Sequence, residues 1–116
     1  MRRLSGFLVG IVFAALLAID LPAQSIYGTL TGIVSDSTGA VLPKATLKLR
    51  DENSGSLRDS VTNSEGYFTF VSLPPGTYQL VIESAGFETY KQSHIDVRGG
   101  DKMNVNVTMK VGSAAT

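Results

Sequence analysis

Residues 63–78 read NSEGYFTFVSLPPGTY, and this stretch decides the fold. Gly66 can adopt the positive φ that a tight hairpin turn requires. Phe68 and Phe70 alternate with other residues, which is the period-two pattern of a strand with one buried face. The Pro-Pro-Gly segment at 74–76 fixes φ twice and is free again at the glycine, so it reverses the chain in a short turn. The stretch therefore predicts turn, strand, turn and strand, and it contains no catalytic group.

Further strands are predicted wherever apolar residues alternate between Gly or Pro turns. The weakest of them offers only Leu57 and Val61 to bury, so we expect it at a sheet edge, where Arg58 and Asp59 would discourage pairing with another chain. The seven predicted strands lie near residues 30–34, 45–50, 57–62, 67–70, 78–83, 95–97 and 103–110. Short half-apolar antiparallel strands bury themselves as two facing sheets. The sequence thus predicts an all-β, seven-stranded antiparallel Greek-key β-sandwich.

The N-terminus has the pattern of a secretory signal peptide. Arg2 and Arg3 precede an apolar run at 4–19, and a small residue, Ala23, marks a plausible cleavage point. We therefore predict a signal-peptide helix over residues 1–23, with a membrane-anchored N-terminus as the alternative. The absence of cysteine excludes a lipoprotein anchor.

The composition fits one modest exported domain. Loss of Arg2, Arg3 and Asp20 would take ten basic and ten acidic residues to eight and nine, a net charge of −1. These charges are scattered, so no basic surface for nucleic acid is expected. With no cysteine, the core alone must stabilise the chain. We expect a short leader at 24–28, one domain at 29–110 and a flexible tail or truncated linker at 111–116.

Together with residues 32–45 (GIVSDSTGAVLPKA), the stretch at 63–78 resembles the carboxypeptidase regulatory-like domain. The resemblance covers about residues 28–110 and implies a transthyretin-like, or prealbumin-like, sandwich. Domains of this family often form the N-terminal extension of TonB-dependent, Oar-like outer-membrane receptors. The resemblance therefore implies export to the periplasm or outer membrane of a Gram-negative bacterium. The implied partner is an envelope protein, or the plug and barrel of a parent receptor, and the mature domain would not itself span the membrane.

Enzyme chemistry is not supported by the available side chains. His94 is the only histidine, and alternation places it beside Asp96 on the face opposite Ile95 and Val97. It has no cysteine or activated serine to work with. Hydrolases of transthyretin-like fold need more than one histidine, and intradiol dioxygenases need two histidines and two tyrosines. We predict a non-enzyme without a cofactor.

The sequence predicts neither a calcium site nor a Lys–Asn isopeptide bond. Calcium would need oxygen ligands at regular acidic spacing, which the candidates Asp36, Asp51, Glu52 and Asp59 lack, so no metal site is predicted. A Lys–Asn isopeptide bond would need a buried lysine, whereas alternation turns the candidates outward; these are Lys48, Glu83, Asn104 and Asn106. The Asn-Val-Thr glycosylation pattern at 106–108 lies within a predicted strand and is given no role.

A carbohydrate-binding module is the alternative function. Sugars are held by exposed aromatic faces together with planar polar groups. The candidate ligand-binding residues are Tyr27, Tyr67, Tyr90 and Gln92. The favoured interpretation remains a non-catalytic exported accessory module with a structural or protein-recognition role.

Overall fold

The computed structural model describes residues 26–112, so the predicted signal peptide and residues 113–116 lie outside the described part. Within it the strands are β1 (Gly28–Asp36), β2 (Thr46–Asp51), β3 (Leu57–Val61), β4 (Tyr67–Leu73), β5 (Gly76–Glu83), β6 (Tyr90–Val97), β7 (Lys102–Asn104) and β8 (Val107–Met109). Sheet I has the order β4-β1-β7, with β8 also paired to β1, and sheet II has the order β3-β2-β5-β6. The predicted all-β sandwich is confirmed. No helix in this range could cross a membrane.

The core lies between the sheets and is built by alternation. Leu30 and Phe68 face inward from sheet I, while Leu47, Leu80 and Ile82 face them from sheet II, and all five are fully buried. Phe68 also meets the ring of Phe70 edge-on, with 6.1 Å between the ring centroids. Buried apolar area is the dominant favourable term in folding, so these alternating stripes account for the sandwich.

The C-terminal strand differs from the prediction in two respects. It is divided into β7 and β8, and both pair in parallel with β1. The turn before β7 returns the chain to the start of β1, where the Thr29 amide donates to the Asp101 carbonyl at 2.8 Å. The chain then runs in the same direction as β1, which makes the pairing parallel. At the division, the Asn106 Oδ1 accepts the Ile33 amide at 3.1 Å in place of a main-chain carbonyl.

Strand β3 lies at the edge of sheet II as expected, but its predicted inward face is wrong. Leu57 and Val61 lie opposite Arg50 and Thr46 of β2, on the outer face, and are 61% and 56% exposed. Arg58 lies opposite the buried Leu49 and so faces inward. The five residues of β3 are too few, and too polar between their apolar ends, to show a clear alternation of apolar and polar side chains. The register with β2 therefore decides which side of the strand is buried.

The turns that connect the sheets are held by polar side chains. Thr62 is 3% exposed, and its hydroxyl donates to the Leu42 carbonyl at 2.6 Å while accepting the Ala45 amide at 2.8 Å. Gly66 has the expected positive φ, 72°. At the second turn the positive φ lies at Ser72 (54°) rather than at a glycine. These connections fix how β3, β4 and β5 pass between the sheets.

Candidate functional site

The four predicted ligand residues do not share one surface. Tyr67 lies on the outer face of sheet I, opposite Ile33, and is 40% exposed. Tyr27 precedes β1 and is also exposed, and its carbonyl accepts the Gly100 amide at 3.2 Å. Tyr90 lies at the edge of sheet II, because β6 is the last strand in that order. The structure therefore separates Tyr67 from Tyr90.

Tyr90 and Gln92 are two residues apart on β6, and a bulge in this strand turns both toward the buried face of sheet II. The register with β5 shifts between Tyr78 and Leu80, so Gln92 falls opposite the buried Leu80 and Tyr90 opposite the buried Ile82. Both side chains are half-buried, and the Tyr90 hydroxyl donates to the Gln92 Oε1 at 2.7 Å. The side chains of these two candidates are thus joined directly.

The same bulge exposes His94. The residue has a φ of 59°, and its side chain is 85% exposed, with Nδ1 3.3 Å from the Glu52 Oε2. The main-chain amide of His94 donates to the other oxygen of Glu52 at 3.2 Å. Asp96 accepts instead from the Thr77 hydroxyl at 2.9 Å. The histidine thus pairs with a loop carboxylate that the alternation did not suggest, and the two groups hold the bulge.

The acidic residues considered for calcium are occupied by local turns. The Asp36 Oδ1 accepts the hydroxyl and the amide of Thr38 at 2.6 and 2.8 Å, together with the Ala40 amide. These hydrogen bonds, that of the hydroxyl first, lower the pKa of Asp36 below its ordinary value. Between residues 26 and 112, no three His, Asp or Glu side chains come together as a metal site would require.

Lys48 and Asn106 lie on different sheets. Lys48 is exposed on β2, opposite Asp59 on one side and Val81 on the other. Asn106 lies between β7 and β8 of sheet I, with its amide oxygen bound to the Ile33 amide. The lysine is therefore neither buried nor near the asparagine, and both residues have structural positions instead.

A cavity of about 350 Å³ opens at the end of the sandwich, between the β2–β3 hairpin and the β4–β5 turn. We call it the end cavity, and it is lined by Asp51, Ser54, Ser56, Arg58, Pro74 and Tyr78. Tyr78 is 4% exposed, and its hydroxyl donates to the Pro74 carbonyl at 2.5 Å. Burial, and after it the nearby Asp51 charge, raises the pKa of Tyr78. The cavity therefore has an apolar floor beneath charged walls.

Arg58 forms one wall of the end cavity. Its guanidinium donates to the Val71 carbonyl at 2.5 Å and to the Ser72 carbonyl at 2.9 Å. Arg58 belongs to sheet II, whereas both acceptors belong to β4 of sheet I, so this side chain joins the two sheets. The sequence pattern had predicted that Arg58 faces outward. Its inward position could have been suspected because a long arginine side chain can cover the edge of a core with its methylene groups in a strand that has few apolar residues.

Asp51 forms the facing wall. Its Oδ1 accepts the Asn53 and Ser54 amides at 2.8 and 3.1 Å, and these main-chain donors, Ser54 first, lower the pKa of Asp51. Its other oxygen lies beside Gly76, 3.2 Å from where a Cβ would stand. The carboxylate is thus fixed by its own hairpin and is not paired with Arg58.

Two shallower depressions lie around Thr89. One, of about 430 Å³, is bordered by Glu83 and Phe87. The other, of about 290 Å³, is bordered by Tyr90 and Met109. Both depressions are also lined by charges of both signs, Lys44 and Glu83 in the first and Glu88, Lys91 and Lys110 in the second. They are more open to solvent than the end cavity.

The family model described as the carboxypeptidase regulatory-like domain matches residues 29–110. None of the curated proteins matches this sequence. Among solved structures, the Bacillus anthracis TIE protein is similar, with a TM-score of 0.60 and 20% identity over 75% of this chain and 17% of that one. Catechol 1,2-dioxygenase of Acinetobacter radioresistens follows, with a TM-score of 0.62 and 11% identity over 78% of this chain and 54% of the enzyme.

A putative carbohydrate-binding protein from Pseudomonas aeruginosa has a TM-score of 0.50 and 18% identity over 77% of this chain and 99% of its own. This chain spans 17% of the Bacillus protein and about half of the dioxygenase. At such identities the likeness shows the fold alone. The dioxygenase and the carbohydrate-binding protein share a sandwich with this chain, which supports the carbohydrate alternative no more than an enzymatic one.

Proposed function

The chain belongs to the carboxypeptidase regulatory-like domain family, and we propose that it is an exported, non-catalytic accessory module with a structural or protein-recognition role. The site geometry supports this proposal. The one histidine is exposed and paired with a loop carboxylate, and the acidic turn residues bind their own main chain. No nucleophile, base and orienting group come together around them within residues 26–112.

The observation that carries the recognition role is an apolar patch on the outer face of sheet I. Tyr67 of β4 and Ile33 of β1 lie opposite each other and are exposed there, and Val41 extends the patch through its bridge to Ser35. We call these three residues, Ile33, Val41 and Tyr67, the sheet I patch. Exposed apolar and aromatic side chains grouped on one face are typical of protein contact surfaces.

The proposed setting is the envelope of a Gram-negative bacterium, in the periplasm or at the outer membrane. The basic and apolar pattern of residues 1–23 supports export. In this setting the partner is another envelope protein, or the plug and barrel of a parent TonB-dependent receptor for which this domain is the N-terminal extension. The sheet I patch is the surface offered to that partner.

Site-specific photo-crosslinking tests the proposal in its native envelope. A benzophenone side chain at Val41 lies within the sheet I patch, whereas one at Lys48 lies on the polar outer face of sheet II. We expect a discrete crosslinked partner, or an intramolecular crosslink within a receptor-sized chain, from position 41 alone. Equal crosslinking from both positions would contradict recognition through this patch, and recovery of the protein in the cytoplasmic fraction would contradict export.

A further inference from the structure

The end cavity holds two opposite charges that do not neutralise each other. Arg58 and Asp51 both line it, yet the contact between a basic and an acidic side chain found within residues 26–112 joins His94 and Glu52 instead. Each charge is held by the main chain: the guanidinium by the carbonyls of β4, and the carboxylate by the amides of its hairpin. Both groups therefore line one cavity, and each is held by main-chain hydrogen bonds of a different part of the chain.

Both groups keep hydrogen-bonding capacity toward the cavity. A guanidinium has five N–H donors, and the two carbonyls of β4 use two of them. Asp51 accepts the hairpin amides through Oδ1, and Ser54 also donates to its carboxylate through its side chain. Its Oδ2 lies beside Gly76, 3.2 Å from where a Cβ would stand, and a carboxylate offers about four acceptor sites in all. A ligand that displaced water from the cavity would desolvate both Arg58 and Asp51. This is unfavourable unless the ligand carries a negative group for the arginine and a positive group for the aspartate.

We propose that the end cavity binds a small zwitterion, a free α-amino acid with an apolar side chain. The ligand carboxylate accepts hydrogen bonds from Arg58, and its ammonium group donates to the Asp51 carboxylate. The apolar side chain lies against Pro74 and Tyr78. This site is separate from the sheet I patch and does not depend on the recognition role.

The size and charge of the cavity favour a zwitterion over a simple ion or a neutral polyol. About 350 Å³ lies at the lower end of the range typical of small-ligand pockets. A simple anion would be attracted by Arg58 but repelled by Asp51. A simple cation would be attracted by Asp51 but repelled by Arg58. Charge-assisted hydrogen bonds at both ends are stronger than neutral ones, so a zwitterion gains more here than a neutral polyol of similar size.

Titration calorimetry of the purified protein with L-leucine, repeated with two matched ligands, tests the proposal. Leucinamide lacks the carboxylate, and N-acetyl-leucine lacks the ammonium group. We expect leucine to bind and each analogue to bind about tenfold more weakly or worse, since each loses a hydrogen bond between charged groups. Equal affinity for all three would overturn the proposal, as would no heat change with leucine at roughly 10 mM.

Two variants locate the site, each with a control on the outer face of sheet II. Asp51→Asn keeps an oxygen for the hairpin amides but removes the charge, and Arg58→Gln removes the guanidinium. Both should weaken leucine binding about tenfold or more, while Asp59→Asn and Arg50→Gln should leave it unchanged. If Arg58→Gln loosens the fold, as circular dichroism would reveal, Asp51→Asn alone decides. Binding of methyl glucoside in preference to leucine, lost in the same variants, would replace the zwitterion with a neutral polyol and overturn the proposal.

Discussion

On one flank of the sandwich a side chain joins the two sheets, whereas on the other flank main-chain hydrogen bonds do. The β3–β4 flank, formed by the edge strands β3 and β4, is joined by Arg58. The β6–β8 flank is joined where residues 86–88, before β6, meet residues 110–112, after β8. There the Glu88 amide donates to the Lys110 carbonyl at 2.8 Å, and the Gly112 amide to the Gly86 carbonyl at 2.9 Å.

The difference has consequences for what each flank can carry. Main-chain pairing places few demands on side chains and brings no charge, and Phe87 packs against the core beside it. On the β3–β4 flank the two sheets are joined by the Arg58 side chain, which brings a charged group to a partly apolar cavity. The contact therefore depends on that one residue. It also leaves Leu57 and Val61 on the outside of β3. The β3–β4 flank is therefore the one suited to a ligand, and it depends on a single residue.

The largest expected effect disrupts sheet I where β1 meets β7 and β8. A Cβ at position 32 would overlap the Val105 carbonyl and lie 2.7 Å from the Phe68 ring, so Gly32→Ala has to displace the chain between β7 and β8. We expect a loss of about 3 kcal/mol in the free energy of unfolding, at the upper end for overpacking. Urea denaturation measures it.

Gly39→Ala is the control for that variant. Nothing lies within 4 Å of a Cβ at position 39, and its φ is 90°, so only the left-handed backbone is strained, at about 1 kcal/mol. A loss at position 32 no larger than at position 39 would show that the close approach of Val105 does not constrain the fold.

The next effect concerns the connection into the β3–β4 flank. Thr62→Val removes a buried hydroxyl that binds the Leu42 carbonyl and the Ala45 amide. Leaving those groups unsatisfied should cost about 2 kcal/mol, measured by urea denaturation. Thr69→Val, on the exposed face of β4, should stay within about 0.5 kcal/mol. Similar losses for the two variants would contradict a special role for Thr62.

Arg58→Gln isolates the side-chain closure itself. Removal of two charge-assisted hydrogen bonds from a half-exposed group should cost about 1–2 kcal/mol, read as a lower thermal midpoint. Arg50→Gln, on the outer face of the neighbouring strand, should change stability by less than about 0.5 kcal/mol. If the two variants are equally stable, Arg58 does not hold the flank.

The smallest effect is a pH dependence set by the turn carboxylates. The pKa values of Asp36 and Asp51 are lowered in the folded protein, so their stabilisation is present above the unfolded value of about 3.9 and is lost as pH falls through the folded value. Urea midpoints measured from about pH 5 down to pH 2 should fall. Asp36→Asn and Asp51→Asn should each flatten that fall, and an unchanged slope in both would contradict the assignment.

The sequence predicted the elements whose side chains alternate cleanly and missed what depends on register. The aromatic strand at 67–70 and the strand at 45–50 follow a strong period, so both were recognised with their buried faces. In β3 the period is weak, and only pairing with β2 shows that Arg58 faces inward. The bulge at His94 likewise turns Tyr90 and Gln92 toward the buried face of sheet II. A bulge adds one residue to a strand, and the alternation of the sequence does not show where.

The end cavity was invisible to sequence reasoning for a related reason. Its two charges come from β2 and β3, and its floor comes from Pro74 and Tyr78 on the other side of the chain reversal. Each residue had an ordinary local interpretation as a turn, a strand edge or part of the core. Only the crossing of the chain between the sheets brings them to one place.

Amide hydrogen exchange of the wild-type protein and the Arg58→Gln variant tests most directly whether the two flanks are closed independently. We expect faster exchange in β3 and β4 of the variant, with unchanged protection of the Glu88 and Gly112 amides, which bind main-chain carbonyls on the other flank. Equal loss of protection on both flanks, or no loss in β3 and β4, would contradict it.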